Sequence, residues 1–383
     1  MENKPFVIDE DDRYSRLKLI AWWDQQKLSN ARVIVVGAGA LGNEVLKNLA
    51  LLGIGQVDVI DFDRIENSNL SRSVLFRAHH KGQFKAEVAA RQAMELNPEI
   101  TVNSIVGNVL TDIGLGLVQR ADAVVGCLDN REARLWVNRM CWKVDTPWID
   151  GGIQEINGVV KVFRPPDGPC YECGMTDNDY RLIQLRYSCP LLSQSDMQRG
   201  RVPTTPTIAS IIGGLQVQEL LKLIHQFEPS EATAFVFNGA VNNFYQTQYP
   251  NREDCLSHET YGVTDTLDIC PPDHTLEQLF QAVAGKAKIE SNKIIQLVLD
   301  RDLVVSLTCE PCGYQKNVMR PMSSVNIAEA NCPDCGQIMK SEMIHSLTVD
   351  STLSDQKLSK LGIPGDDIVK VETADGWLFF QLQ

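Results

Sequence analysis

The chain has 383 residues, 44% hydrophobic and 22% charged, an ordinary composition for a globular protein with core material for two or three domains. Its net charge of −13 argues against a nucleic-acid binder, since affinity for phosphate backbones rests on Lys and Arg; it suits a basic protein partner.

The opening "MENKPFVIDEDDRYSR" is acidic, without the charged-then-apolar pattern of a signal peptide, and no apolar run looks long enough to span a membrane. The expectation is a cytoplasmic protein that does not enter the membrane. Cysteines are kept reduced there, so the eleven in this chain need a role other than disulfides. Residues 31–61, "ARVIVVGAGALGNEVLKNLALLGIGQVDVIDFD" with its flanks, read strand, glycine turn, helix, strand. Gly37, Gly39 and Gly42 let the backbone turn tightly and approach a phosphate at a helix N-terminus. Asp61, 19 residues beyond Gly42, falls where a ribose hydroxyl contact is expected. Taken alone, this pattern reads as an NAD- or FAD-binding domain. The next residues turn the reading elsewhere. "DFDRIENSNLSR" supplies Asp63, Asn69 and Arg72, and "HKGQFKAE" puts Lys85 at the start of a helix near 83–96. A strand near 101–106, a helix near 109–118, a strand at 123–126 and a helix near 130–142 follow, with Asp129 and Asn130 at the strand's carboxyl end, where doubly wound sheets bind ligands. Hydride transfer has no use for several cations and an added acid around phosphates, whereas cleavage of a nucleoside triphosphate does.

After the strand-like "TPWIDGGIQEINGVVKVFRP" comes "PCYECG", with Cys170 and Cys173. Residues 174–206 look irregular. "TIASIIGGLQVQELLKLIHQF" reads as a helix, and "ATAFVFNG" and "NNFYQTQY" as strands. "REDCLSHE" adds Cys255 and His258, making a Cys₃His zinc set with the first pair; Cys270 is the reserve for the fourth position. The character changes at Pro271-Pro272, placing a boundary there. Beyond it, Cys309, Cys312, Cys332 and Cys335 form C-x-x-C, 19 residues, C-x-x-C, a zinc-ribbon signature, and "DIVKVETADGWLFFQL" reads as a hairpin. Each set has four ligands and no open position, so both zincs are expected to be structural.

The motifs "GAGALG", "DFDRIENSNLSR", "GQFK", "CLDN" and the cysteine pairs resemble the adenylating domain of the ThiF/MoeB and ubiquitin-activating superfamily over roughly residues 10–260. The resemblance implies an α/β fold: a Rossmann-like, doubly wound, mostly parallel sheet with structural zinc, plus a small C-terminal α+β module containing the zinc ribbon. It implies an adenylation domain over 1–271, with an N-terminal helical arm at 10–28 and a crossover loop at 174–206, and a zinc-binding module over 272–383 that recruits a conjugating enzyme or serves stability or dimerisation. It implies ATP-dependent adenylation of the C-terminal glycine of a ubiquitin-like protein. Gly37, Gly39 and Gly42 would cradle ATP, and Asp61 would hold the ribose. Asp63, Asn69, Arg72 and Lys85 would surround the phosphates, and Asp129, beside Asn130, would bind magnesium. Arg16, in Arg13-Tyr-Ser-Arg16, matches an arginine that the family contributes from the second subunit of a homodimer. Cys189, after the first zinc pair, matches the thioester-forming cysteine; a thiolate is suited to capture an acyl group. Cys127 and Cys141, in an apolar strand and a helix, are poorer candidates. A sulfur-carrier adenylyltransferase for thiamine or molybdopterin synthesis shares the adenylation residues, and a non-catalytic scaffold is a third reading. Single chains of this size resemble enzymes of bacterial ubiquitin-like conjugation systems, some tied to antiviral defence.

Overall fold

Near-continuous burial along short apolar strands such as Arg32–Val36, Gln56–Ile60 and Ala123–Gly126 marks a sheet with two covered faces. The structure is a computed structural model and describes residue 9 and residues 11–188, 203–227, 233–325 and 327–383. The chain runs α1 (Gln25–Asn30), β1 (Arg32–Val36), α2 (Ala40–Leu52), β2 (Gln56–Ile60), α3 (Lys85–Leu96), β3 (Thr101–Ile105), α4 (Leu115–Gln119), β4 (Ala123–Gly126), α5 (Arg131–Lys143) and β5 (Trp148–Gln154). It continues through β6 (Asn157–Phe163), α6 (Asp177–Ser188), α7 (Pro206–Ile224), β7 (Thr233–Asn238) and β8 (Asn243–Gln248). The eight strands form one sheet in the order β3-β2-β1-β4-β5-β6-β7-β8, parallel from β3 to β5 and antiparallel beyond. In β1, Val33 and Val35 enter the core shared with α2, α3 and α7, while Ile34 and Val36 enter the one shared with α4 and α5. Chain order reverses between β1 and β4, so the carboxyl ends of β2, β1 and β4 open a crevice at one edge.

Several expectations change. The 10–28 arm is not a continuous helix: it holds a 3₁₀ turn at Leu17–Leu19 and then α1, whose start is fixed by the Asp24 carboxylate accepting from the Gln26 and Lys27 amides. "TPWIDGGIQEINGVVKVFRP" folds as two antiparallel strands that turn at Glu155, which has φ 55°. Of the helix expected near 109–118, only Leu115–Gln119 is helical. Helix α6 lies inside the stretch read as irregular, and Asp179 accepts from both the Thr176 amide (2.9 Å) and hydroxyl (2.8 Å) at its start. Helix α7 is long and apolar enough to span a membrane by length and composition, contrary to the reading from sequence. Half of it is buried, with Ile208, Ile212, Val217 and Leu220 packed on the sheet.

A second sheet contains β9 (Thr264–Leu267), β10 (Ile294–Thr308), β11 (Gln315–Pro321), β12 (Lys340–Leu347), β13 (Ile368–Thr373) and β14 (Gly376–Leu382), in the order β11-β10-β13-β14-β9 with β12 on β10. Helix α8 (Leu276–Ala287) covers it through Leu276, Leu279, Phe280 and Val283. Strand β9 comes from ahead of the proline pair at 271–272, so this sheet draws on both sides of the boundary expected there. The module docks on the α4–α5 face. Arg301 donates to the carbonyls of Leu110 (2.8 Å) and Ile113 (2.7 Å), pairs with Asp367 (3.2 Å) and stacks over Trp136. Asp367 accepts the Leu115 amide (2.9 Å) and the Asp366 carbonyl accepts that of Gly116 (2.9 Å), capping α4. That cap sets where α4 begins.

Candidate functional site

The crevice at the carboxyl ends of β1, β2 and β4 holds most of the residues singled out by motif. At its centre, Gly37 has φ 99°, and a side-chain carbon there would lie 2.4 Å from the Cys127 carbonyl oxygen. A Cβ on Gly42 would lie 1.9 Å from the Gly37 carbonyl oxygen, so the loop closes only on glycine. A Cβ at Gly39, the N-cap of α2, would meet no atom of the described residues within 4 Å, which leaves the helix N-terminus open among them to approach by an anion. Asp61 follows β2 and braces the loop: its carboxylate accepts from Ala38 N (2.8 Å) and Asp63 N (2.8 Å). Burial pushes the Asp61 carboxyl up, against the pull of Lys85 and these two amides.

Lys85, buried at the first position of α3, donates from Nζ to Asp63 Oδ2 (2.7 Å), and its amide donates to the Asp63 carbonyl (2.8 Å). The structure thus joins the two motifs "DFD" and "GQFK". Between them the chain loops out and back. Asn69 Oδ1 accepts the Glu66 amide (2.9 Å), and Arg72 Nη1 donates to the Ser68 carbonyl (2.7 Å). Asp129 is exposed just past β4, and Asn130 caps α5 by accepting the Ala133 amide (2.8 Å). Arg16 is exposed and stands apart from the crevice. Two residues before it, the buried Tyr14 accepts a hydrogen bond from Asn97 (2.8 Å) and packs against Gly53 at the far end of α2.

Two groups of side chains escaped the motif reading. Asn43, fully buried in the first turn of α2, donates to the carbonyls of Ala38 (2.8 Å) and Gly39 (2.9 Å) and accepts the Leu75 amide (2.9 Å). Arg134 on α5 pairs with the buried Asp150 of β5 (2.9 Å) and donates to the carbonyls of Leu128 (2.7 Å) and Gly151 (2.9 Å), fixing the segment that carries Asp129. Leu75, which Asn43 ties to the glycine loop, and Asp150, which pairs with Arg134, each come from a separate segment, so spacing along the chain carries no signal for these contacts.

Cys170, Cys173, Cys255 and His258 converge, with Cys170–Cys255 at 3.5 Å, Cys170–Cys173 at 3.7 Å and Cys173 Sγ–His258 Nε2 at 3.3 Å. A tetrahedral zinc with metal–sulfur bonds of about 2.3 Å sets its sulfurs about 3.8 Å apart, so the set fits that ion. The donors around it fit as well. Asn138 Nδ2 and Trp142 Nε1 are buried with no hydrogen-bond partner among the described residues, and the Trp142 ring packs against Cys170, Cys173 and His258. Metal-bound thiolates would give such N–H groups acceptors. Cys270 is outside this cluster, with its amide donating to His274 (3.0 Å). The second set also converges, with Cys309–Cys335 at 3.4 Å and Cys312–Cys332 at 3.5 Å, and Gly313 and Gly336 in left-handed turns after each pair. Burial pushes the Cys127 and Cys141 thiols up, which suits neither to nucleophilic chemistry. Cys189 lies outside the described residues. Helix α6, which leads into it, is anchored by Asp179 on Arg131 (2.9 Å) and by Tyr180 on the buried Glu172 (2.7 Å) between the first cysteine pair.

A sequence model of the ThiF family matches residues 12–257. Among curated proteins, the chain is 38% identical over 164 residues to a SUMO-activating enzyme subunit 2 of Dictyostelium discoideum, covering 42% of this chain and 25% of that one. It is 37% identical over 173 residues to a sulfur carrier protein adenylyltransferase of Thermus thermophilus, covering 43% and 64%. It is 28% identical over 251 residues to a molybdopterin-synthase adenylyltransferase of Salmonella typhimurium, covering 63% and 94%. The chain therefore spans less than two thirds of the length of the first two. Among solved structures, E. coli MccB with AMPCPP and MccA superposes with a TM-score of 0.54 at 26% identity, covering 66% of this chain and 76% of that one.

Proposed function

The chain belongs to the ThiF family, and from that premise we propose that it is an ATP-dependent adenylyltransferase acting on the C-terminal glycine of a ubiquitin-like protein. The observation that carries this reading is the contact of Lys85 with Asp63 beside a glycine loop braced by Asp61. It brings a buried cation and the Asp61 carboxylate, which would hold the nucleoside, to one crevice beside the N-terminus of α2. Gly37, Gly39 and Gly42 would let the loop amides face the phosphates, and Asp61 would hold the ribose. Asn69, Arg72 and Lys85 would stabilise charge on the phosphoryl oxygens. Asp129 would hold magnesium, which neutralises phosphate charge, and Asn130 would orient the turn behind it. An oxygen of the glycine carboxylate attacks the α-phosphorus, and pyrophosphate leaves with the bonding electrons.

Arg16 is assigned to a partner's crevice in a homodimer. Tyr14 fixes the arm beyond the C-terminal end of α2, and the 13 residues of that helix separate it from its own glycine loop by about 20 Å. Cys189 would then attack the acyl carbon and release AMP, leaving a thioester for a conjugating enzyme recruited by residues 272–383. The two anchors on α6 support a defined entry to that segment. Both cysteine clusters would hold structural zinc, in keeping with the reducing cytoplasm. The Salmonella match, covering 94% of its relative, favours a second reading, a sulfur-carrier adenylyltransferase with the same first step. A Cys189→Ala variant separates the two. Under conjugation it still makes acyl adenylate but loses the ATP-dependent, thiol-reducible adduct with the partner. An unchanged adduct removes Cys189 from the mechanism.

A further inference from the structure

We propose that Asn43 is a positioning residue that shapes the glycine loop for phosphate and couples it to the segment carrying Arg72; this rests on the nucleotide reading above. The side chain is fully buried one residue past Gly42, and its three hydrogen bonds among the described residues are all to backbone. Its amide nitrogen donates to the carbonyls of Ala38 and Gly39, at 2.8 and 2.9 Å. Those carbonyls belong to the loop whose N–H groups must face outward for an anion to bind. Tying them inward leaves the N–H side outward without help from a ligand. Preorganisation of this kind spares the reaction the cost of reorienting dipoles.

The amide oxygen of Asn43 works in the opposite direction, accepting the Leu75 N–H at 2.9 Å from a segment 32 residues away. Leu75 lies three residues beyond Arg72, whose own backbone and side chain are tied to Asn69 and Ser68. One side chain therefore joins the two elements that would meet the triphosphate from different sides. A buried amide with both ends used is hard to replace, because truncation takes the side-chain donor from the Ala38 carbonyl and the acceptor from the Leu75 N–H, both buried, while the Gly39 carbonyl keeps the Asn43 backbone amide (2.9 Å).

Two variants separate the two ends. Asn43→Ala removes both. Asn43→Ser keeps a hydroxyl able to donate back to the Gly39 carbonyl four residues earlier, but it is too short to hold Leu75. The probes are adenosine, which would depend on Asp61, and the non-hydrolysable analogue AMPPNP, which would also use the loop. Hydrogen exchange at the Leu75 amide is followed in the full-length chain. The expected result for Asn43→Ala is about ten-fold weaker AMPPNP binding with adenosine affinity kept within about two-fold, and Leu75 exchange faster by about ten-fold. Asn43→Ser is expected to keep AMPPNP affinity within about three-fold while Leu75 exchange accelerates as in Asn43→Ala. AMPPNP affinity unchanged in Asn43→Ala, or adenosine and AMPPNP weakened equally, overturns the proposal. If the unaltered chain binds neither probe, the nucleotide reading fails and takes the phosphate half of this proposal with it. The Leu75 exchange rates then still decide whether Asn43 holds the two segments together.

Discussion

At the residue scale, the glycine loop separates two kinds of constraint that share one motif. Gly42 is required by the protein itself, since a Cβ would press into the Gly37 carbonyl, whereas at Gly39 a Cβ would touch none of the described residues. Gly42→Ala is therefore expected to lower thermal stability and nucleotide binding together. Gly39→Ala is expected to melt within a few degrees of the parent, with AMPPNP bound at least about ten-fold more weakly because its methyl stands where phosphate would approach. Equal behaviour of the two variants in paired melting and binding measurements would contradict this division. The loop was legible in the sequence because all its parts lie within six residues between a strand and a helix. Asn43 was not, because its meaning depends on Leu75 arriving from another segment.

At the scale of elements, the two cysteine clusters differ in how far the sequence could take them. Cys309, Cys312, Cys332 and Cys335 lie close along the chain, on two knuckles each closed by a left-handed glycine, and their spacing alone defines the set. The first cluster unites segments 85 residues apart, and spacing left His258 and Cys270 both open. Folding decides between them by bringing the His258 imidazole against Trp142 and Cys173. Metal analysis of the purified chain is expected to find about two zinc per chain. His258→Cys should keep that number, Cys255→Ala should lose one zinc, and Cys270→Ala should change nothing. Loss of zinc in Cys270→Ala, or one zinc or none in the unaltered chain, would contradict the assignment. Helix α6 was missed for a different reason. Its Thr176–Asp179 start signal is present in "TDND", but the segment after it has weak apolar periodicity.

At the scale of the whole molecule, the C-terminal module is bound to the first sheet's outer helices through buried polar contacts. The sequence shows a change of character at Pro271-Pro272, but it carries no sign that Asp366 and Asp367 cap α4 from some 250 residues away. Arg301 and Asp367 are both buried, and Arg301 also satisfies two carbonyls, so removing it strands a carboxylate and the carbonyls of Leu110 and Ile113. Breaking such a pair from one side costs about 3–5 kcal/mol. Arg301→Ala is expected to lower the Tm by on the order of 10 °C. Arg301→Lys should recover only part of that, because one ammonium cannot reproduce the fork that bonds Asp367 and both carbonyls. A Tm unchanged in Arg301→Ala would show that this docking contact contributes little to the stability of the chain.

The central claim is that the crevice activates a carboxylate with ATP, and pyrophosphate exchange into ATP tests it most directly. The full chain would be assayed with magnesium and a ubiquitin-fold protein that ends in glycine, with and without that terminal glycine. Exchange is expected to require the intact glycine and to fall at least about 100-fold in Lys85→Ala. Exchange that is indifferent to the terminal glycine, or that persists undiminished in Lys85→Ala, would contradict it.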